Sequence, residues 1–219
     1  MSKAEITRQK IIKEAANIFN QNGYAGSSIS DVMKATGLKK GGIYNHFASK
    51  DELAIAAFDY AEGLLQQRYS QALRGEKTAH DRLNTIVMTF CTVIKDPPIK
   101  GGCPLLNTAI ESDDTHPVLK LKAQEAMDNW KQMIIKIVRI GIKKQEINQS
   151  VSAENVAIVM ISLLEGGLMM SKLYDDLTHL DRVQKHLFKY IESIVIVAPN
   201  KNQLPYCRDK ACLVSTRDL

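Results

Sequence analysis

A short run of basic, glycine, aromatic and polar residues is the part of this sequence best suited to binding chemistry. Residues 39–46 read Lys-Lys-Gly-Gly-Ile-Tyr-Asn-His, and Lys50 follows closely. Lysines attract phosphates, Asn can hydrogen-bond with base edges, and glycines let a backbone come close to another molecule. The chain shows no Gly-rich phosphate loop, nucleophile elbow or metal-ligand spacing. The run therefore predicts binding rather than catalysis, so we expect no enzyme, no catalytic residue and no cofactor.

The basic residues are concentrated near the N-terminus. The chain has 219 residues and a formal net charge of +5. Its first 50 residues carry eight basic and three acidic side chains, whereas the rest carries 21 of each. A basic segment joined to a neutral body is typical of a polyanion-binding head. A solvated basic face without a partner gives the same pattern, so charge alone leaves both interpretations open.

Cysteine and histidine usage argues against a metal site. The four cysteines, Cys91, Cys103, Cys207 and Cys212, include no Cys-x-x-Cys pair, and the five histidines are scattered. The sequence has no uninterrupted run of the roughly 18 to 20 apolar residues that a spanning helix needs, and its N-terminus has no apolar signal core. We therefore expect a cytoplasmic protein with no bound metal and no membrane partner.

Helical periodicity dominates the elements that must position these residues. The pattern predicts helices over residues 5–21, from Ser28, over 40–47, from Ser49 toward Arg74, and over 78–95, 104–112, 117–146, 151–174 and 179–198. Strand signals are essentially absent. The fold class that follows is all-α.

The first three helices have the plan of a helix-turn-helix. Ser28 and Asp31 form a capping-box pattern at the start of the second helix, and Gly37 ends it. Ile43 and Phe47 lie four residues apart, on the face of the third helix that packs against the other two. A short second helix, a turn containing glycine and an exposed third helix are the arrangement that places a helix in the major groove of DNA.

The stretch from Ser28 to Leu53 closely resembles the DNA-binding signature of the TetR (tetracycline repressor) family. Its most specific parts are Gly37-Leu38, then Gly41-x-Ile43-Tyr44-x-His46-Phe47, then residues 49–53, Ser-Lys-Asp-Glu-Leu. The signature covers about residues 5–55, and the rest of the chain resembles the family only in helical content and length. Two departures are Lys39, where the family often has a Ser or Thr cap, and Gly42, where it often has a side chain.

The resemblance implies a homodimeric repressor whose body binds a small-molecule inducer. We expect a helix-turn-helix domain at residues 1–50, a helical effector-binding and dimerisation domain at 51–198, and a flexible tail at 199–219. The partners would be a palindromic double-stranded DNA operator, a second copy of the chain and an unknown inducer. The last two helices are expected to form the dimer interface through Leu163, Leu187, Ile191 and Ile194. An intramolecular core is the alternative for these residues.

The predicted DNA-binding residues surround the third helix. They are Ser28, Ile29, Lys39, Lys40, Gly41, Gly42, Tyr44, Asn45, His46 and Lys50. Backbone N–H groups at helix starts and lysine side chains suit phosphates, and Asn45 suits a base edge. Tyr44 as a core aromatic, His46 as a cap and Lys50 as a solvated charge are the ordinary alternatives.

The predicted effector-binding residues are apolar side chains of the body together with a thiol and two carboxylates. They are Met88, Phe90, Cys103, Leu106, Glu111, Met127, Trp130, Met133, Glu165 and Met169. Ordinary core packing is the alternative for each. Cys103 lies in a Pro- and Gly-rich turn at a helix start, where free N–H groups would lower its pKa. A redox- or electrophile-sensing regulator is therefore a second interpretation. A helical module that binds nucleic acid without sequence preference is a third, and an activator is a fourth.

Overall fold

Nine α-helices form the structure, a computed structural model that describes residues 1–196. Their bounds are α1 Lys3–Asn22, α2 Ile29–Thr36, α3 Lys40–Tyr44, α4 Lys50–Ala72, α5 Ala79–Lys95, α6 Pro104–Ser112, α7 Pro117–Lys143, α8 Ala153–Leu173 and α9 Thr178–Ile194. Within residues 1–196 there is no strand, and one isolated bridge joins Ile147 and Val195. The all-α prediction is confirmed. The predicted tail at 199–219, with Cys207 and Cys212, lies outside the described residues.

Helices α1 to α3 pack as the helix-turn-helix head. Ser28 Oγ accepts a hydrogen bond from Asp31 N–H at 3.3 Å, and Ser28 N–H donates to the Asp31 carboxylate at 2.9 Å, so the predicted capping box is present. Gly37 ends α2 with φ +71°, a left-handed conformation that costs glycine no Cβ clash. These local signals set the length of α2 and the sharp turn into α3.

Helix α4 connects the head to the body. Its buried Leu53, Ala57 and Ala61 join the apolar core of the head, whereas its Phe58 joins the core of the body. The core of the head therefore continues beyond residue 50, where we expected that domain to end. A single helix that packs in both cores ties their positions together.

Helices α5 to α9 and the second half of α4 form the body. Its core is aliphatic and includes the fully buried Leu83, Ile134, Met160, Leu164 and Leu180. Helix α8 crosses this core and buries residues on more than one side. By length and composition, α8 is long and apolar enough to cross a membrane, but half of its apolar stretch is buried inside the fold. The core helix of a globular protein can be equally long and apolar, so α8 is only weak evidence for a membrane-spanning helix.

Several helices end earlier than the periodicity predicted. Helix α3 stops at Tyr44 rather than at residue 47, α7 stops at Lys143, and α9 stops at Ile194. After α7 the chain turns through Gln145, whose φ is +60°, and Ile147 then packs in the core. After α3 and α7, the apolar Phe47 and Ile147 continue the helical pattern because they are buried from loops as well.

Candidate DNA-binding surface and effector cavity

Helix α3 is attached to the head by its apolar side. Ile43 is 0% exposed and Phe47, just after the helix, is 1% exposed. With these two side chains inward, the opposite side of α3 faces solvent. Its exposed residues, here called the recognition surface, are Lys39, Lys40, Gly41, Tyr44 and Asn45. The structure therefore brings half of the predicted DNA-binding residues together on one exposed surface.

The two glycines of α3 differ in their surroundings. A Cβ added at Gly41 would have no atom within 4 Å, so this position is open to an approaching molecule. A Cβ at Gly42 would lie 3.4 Å from the Leu38 side chain, so this position faces the turn before α3. Lys39 makes no side-chain capping bond, as expected for lysine at that position. Close approach by DNA would therefore occur at Gly41 rather than at Gly42.

An aromatic and a cation lie side by side on the recognition surface. Tyr44 is 41% exposed, and the Lys40 ammonium lies 5.7 Å from the centre of its ring. A cation within about 6 Å of a ring is attracted to its face. Tyr44 is thus a surface side chain rather than the core aromatic of the alternative interpretation.

The other predicted DNA-binding residues lie at the edge of this surface. Ser28 is exposed but its hydroxyl is engaged in the capping box, while Ile29 and His46 are half-buried. Lys50 is also half-buried: its ammonium donates to the Tyr24 carbonyl at 2.5 Å and lies 4.0 Å from the Tyr24 ring centre. Lys50 therefore fastens the connection between α1 and α2, in addition to any phosphate contact.

The C-terminal end of α6 holds that same connection. The Glu111 carboxylate accepts hydrogen bonds from the N–H groups of Tyr24 and Ala25, each at 2.7 Å. A Cβ at Gly23 would lie 2.8 Å from Glu111 Oε1, and Gly23 has φ +78°, so both space and conformation require glycine there. We predicted Glu111 as an effector-binding residue; it does not line the large cavity of the body, and its carboxylate joins the body to the head.

A second polar contact joins α6 to the end of α1. Asn107 Nδ2 donates to the Asn20 carbonyl at 3.0 Å and to Asn20 Oδ1 at 2.9 Å. Asn20 Nδ2 in turn donates to the carbonyls of Lys100 and Gly102. We call this contact, together with the Glu111 bonds, the α6 junction.

A cavity of about 390 Å³ lies in the body, between α4, α5, α7 and the start of α6. Aromatic rings form part of its wall: Phe90 and Trp130 are stacked with centroids 5.7 Å apart, and Tyr69 lies 6.4 Å from Trp130. Exposed polar residues, Gln66 and Asn129, line it as well. Ligand sites are commonly 300–1,000 Å³ with mostly apolar walls and few polar groups. This cavity has that size and composition.

Two carboxyl groups are buried at this cavity. Glu62 lines it, and Glu165 lies behind Cys103, whose Sγ donates to Glu165 Oε1 at 3.0 Å. Burial, and then the nearby charges of Glu165 and Asp59, raise the pKa of Glu62 to about 7. Burial also raises the pKa of Glu165 to about 7. Both groups therefore change protonation near neutral pH.

Cys103 lines the cavity, but its thiol differs from our expectation. Burial, and then the neighbouring Glu165, raise the pKa of Cys103 well above its ordinary value. The Leu106 N–H acts in the opposite direction and is outweighed. The predicted lowering of the Cys103 pKa was wrong because the helix-start N–H groups act on a thiol that is buried beside a carboxyl.

Four predicted effector-binding residues line the cavity, namely Phe90, Cys103, Trp130 and Met133. Others do not. Met88 is 53% exposed and Met169 52% exposed, so these two point to solvent. Leu106 and Met127 are half-buried and pack against the core of the body. Periodicity marks residues that are apolar, but it does not separate core, cavity wall and surface.

Three predicted dimer residues lie inside a single chain. Leu187 and Ile191 are 0% exposed and Ile194 is 8% exposed, while Leu163 is half-buried and packs on the same core. The helices of the same chain cover Leu187, Ile191 and Ile194, as the intramolecular alternative predicts, whereas the half-buried Leu163 stays a predicted dimer contact. The exposed apolar residues of this region lie instead on α8, at Ile158, Met169, Met170 and Leu173.

The sequence analysis missed the α4 side of the cavity. Glu62 and Tyr69 are seven residues apart and so share one face of α4. An acidic and an aromatic residue at helical spacing was the available signal. The same spacing is equally typical of a solvent-exposed helix face. Only the packing of α4 against α7 shows that this face is a cavity wall.

Family models match both parts of the chain. Residues 11–57 match the family described as bacterial regulatory proteins, tetR family. Residues 79–187 match the tetracyclin repressor-like C-terminal domain. A TetR transcriptional regulator from Chloroflexus aurantiacus is 42% identical, with a TM-score of 0.87, over 90% of this chain and 100% of that one. This chain belongs to the TetR family. It is therefore a transcriptional regulator with a helix-turn-helix head, a class of protein that acts by binding rather than catalysis.

A second solved structure and a curated relative match the chain at lower identity. A regulator from Cytophaga hutchinsonii is 35% identical, with a TM-score of 0.82, over 90% of this chain and 99% of that one. The HTH-type transcriptional repressor DhaR of a Mycobacterium species is 22% identical over 183 residues, which are 83% of this chain and 90% of that protein. The family membership covers both head and body, so it applies to the whole arrangement described above.

Proposed function

We propose that this TetR-family protein is a repressor that binds a palindromic operator as a homodimer and is released by a small molecule in the body cavity. The observation that carries the proposal is the position of α6. Cys103, which precedes the helix, and its first residues Pro104 and Leu105 line the cavity. Its Asn107 and Glu111 form hydrogen bonds with the head. One short helix thus touches both the cavity and the head.

The α6 junction supports regulation by a change of state. A ligand that fills the cavity displaces the first turn of α6 if it binds one arrangement of the body better than another. Glu111 and Asn107 then move with the helix, and the angle of the head changes. Release follows because two recognition surfaces must match successive major grooves, about 34–36 Å apart or a multiple of that distance.

The exposed apolar side of α8 supports a homodimer. Ile158, Ser162, Gly166, Met169 and Leu173 follow one another at helical spacing. All but Gly166 are exposed, and a Cβ at Gly166 would have no atom within 4 Å. The exposed side chains of α9, by contrast, are mainly charged. Contiguous apolar surface of this kind marks protein interfaces. We therefore propose that α8 forms the dimer contact and that α9 packs against α8 inside each chain.

The experiment is a selection of random DNA duplexes with the full chain, followed by measurement of binding to the enriched sequence. An enriched inverted repeat, bound by two chains per duplex, supports the proposal. Asn45→Ala should change the preferred bases, whereas Lys40→Ala should weaken binding to all duplexes, because phosphate contacts carry no sequence information. Binding without any enriched sequence would instead identify a module that binds nucleic acid non-specifically.

Repressor and activator differ in a second measurement. A reporter whose promoter overlaps the enriched repeat should be expressed less in the presence of the protein. Higher expression would contradict the repressor proposal and leave the DNA-binding part intact.

A further inference from the structure

The body cavity combines buried acid with aromatic surface. Glu62 contributes a carboxylate to the wall, and Tyr69, Phe90 and Trp130 contribute rings. Among residues 1–196, the lining contains no Lys, Arg or His, and neither Glu62 nor Glu165 forms a salt bridge. Within that part of the chain, no basic side chain therefore balances the ionised carboxylates of the cavity.

Several buried polar atoms near the cavity lack a hydrogen-bond partner among the described residues. Glu62 Oε1, Glu165 Oε2 and Trp130 Nε1 are buried and have no hydrogen-bond partner among residues 1–196. Glu165 is 7% exposed. A buried carboxylate without a partner is costly, and the usual remedies are protonation or an opposite charge. A bound cation would supply the opposite charge.

The rings define the rest of the ligand. An ammonium close to the face of Trp, Tyr or Phe is attracted to it, most strongly where water is excluded. The stacked pair Phe90 and Trp130 and the nearby aliphatic Val93 and Ile94 favour apolar substituents around the charge. A hydrated metal ion would not use these walls, whereas a substituted ammonium would use both the rings and the acid.

We propose that the effector of this regulator is a monovalent organic cation, a substituted ammonium with an aryl or branched alkyl body, held by Glu62 and the rings of Tyr69, Phe90 and Trp130. This inference rests on the proposed function, because it names the ligand class of the same cavity. Glu165 acts from behind Cys103 and adds negative potential without touching the ligand.

Protonation of the two carboxyls explains how the empty cavity remains stable. With pKa values of about 7, Glu62 and Glu165 hold protons for part of the time at neutral pH. A cation would favour their charged forms. A neutral ligand with hydrogen-bond acceptors would instead favour the protonated forms, so the charge of the ligand is the feature to test.

The test compares two ligands of nearly equal shape, benzyltrimethylammonium and its uncharged carbon analogue neopentylbenzene. Trp130 is the single tryptophan of the chain, so its fluorescence reports on the cavity. The cation should bind about tenfold or more tightly than the analogue, since a lost interaction with a charged partner commonly changes affinity by that factor or more. Equal binding, tighter binding of the analogue, or no binding of either would overturn the inference.

Variants separate charge from packing. Glu62→Gln should weaken binding of the cation about tenfold and leave the analogue unchanged. Glu125→Gln, an exposed change on α7 whose side chain is 67% exposed, is the matched control and should alter neither ligand. Unchanged cation binding by folded Glu62→Gln, checked by circular dichroism, would contradict the role of Glu62. If that variant does not fold, Glu165→Gln carries the test, and it should weaken the cation by a smaller factor.

The two proposals fail in different ways. Operator selection and operator affinity are measured without any ligand, so their failure removes the proposed function. If operator binding is sequence-specific but only the neutral analogue binds the cavity and releases the DNA, the repressor remains and the cationic ligand class is wrong.

Discussion

Glu111→Ala removes the carboxylate by which α6 holds the connection between α1 and α2. Two bonds of 2.7 Å are lost, one part-buried to Tyr24 N–H and one exposed to Ala25 N–H. A hydrogen bond to a charged group contributes about 1.5–3 kcal/mol, and solvent exposure puts the Ala25 bond at or below the low end. We therefore expect the free energy of local opening of the turn at residues 23–26 to fall by about 2 to 3 kcal/mol.

The assay is hydrogen–deuterium exchange of the Tyr24 and Ala25 amides. Exchange through local opening should accelerate about 30- to 150-fold, which is the same free energy expressed as a population. Gly23→Ala should act in the same direction, because its Cβ would lie 2.8 Å from Glu111 Oε1. Asp113→Asn is the control: it removes an exposed charge at the end of the same helix.

The functional consequence is a weaker coupling between ligand binding in the cavity and operator binding by the head. Operator affinity of Glu111→Ala should respond less to a cavity ligand than that of the wild type, whereas ligand affinity itself should be nearly unchanged. Wild-type protection of both amides in the variant would refute the reasoning, since those N–H groups would then be held by something other than α6.

Further outcomes test the recognition surface, the dimer and the buried acid. Lys40→Ala should reduce the slope of log affinity against log salt by about 0.9, as expected for one lost phosphate contact, and an unchanged slope would place Lys40 away from DNA. Leu173→Lys on the exposed side of α8 should give folded monomers by sedimentation, whereas Ile191→Lys should unfold the chain, because Ile191 is fully buried in its own chain. A dimeric Leu173→Lys protein would move the interface elsewhere. The raised pKa of Glu165 means that the folded state binds this proton more tightly than the unfolded state, so stability falls as pH rises from about 4.5 toward about 7. Between pH 5 and pH 8, the free energy of unfolding of Glu165→Gln should therefore rise relative to that of the wild type by about 3 kcal/mol. Parallel pH profiles for the two proteins would show that Glu165 does not titrate in this range.

The head was predictable because its determinants are local. The capping box of Ser28 and Asp31, the left-handed Gly37 and the inward pair Ile43 and Phe47 act within a few residues of each other. The caps and turns need no distant partner, and the inward pair is already marked by its helical spacing. The recognition surface then follows, since residues opposite a buried face of a short helix must be exposed.

The body was predictable as helices but not as a site. Apolar periodicity locates α5 to α9, yet Met88, Leu187 and Met133 carry the same signal and lie at the surface, in the core and at the cavity. Which of these places a side chain occupies depends on how helices distant in sequence pack together. Single-residue chemistry is no better a guide, because Glu111 and Glu165 both follow apolar residues and have unrelated roles.

The sequence alone therefore determined the all-α class, the helix-turn-helix head and the face of α3 that is exposed, because helix starts, helix stops and turns are short-range properties. Tertiary structure alone decided the partner of Glu111, the pKa of Cys103, the acid at the cavity and the burial of Leu187 and Ile191. Each of these depends on atoms that are tens of residues apart in the chain. Hydrogen-bond partners, desolvation and burial are properties of a packed environment, which no local pattern encodes.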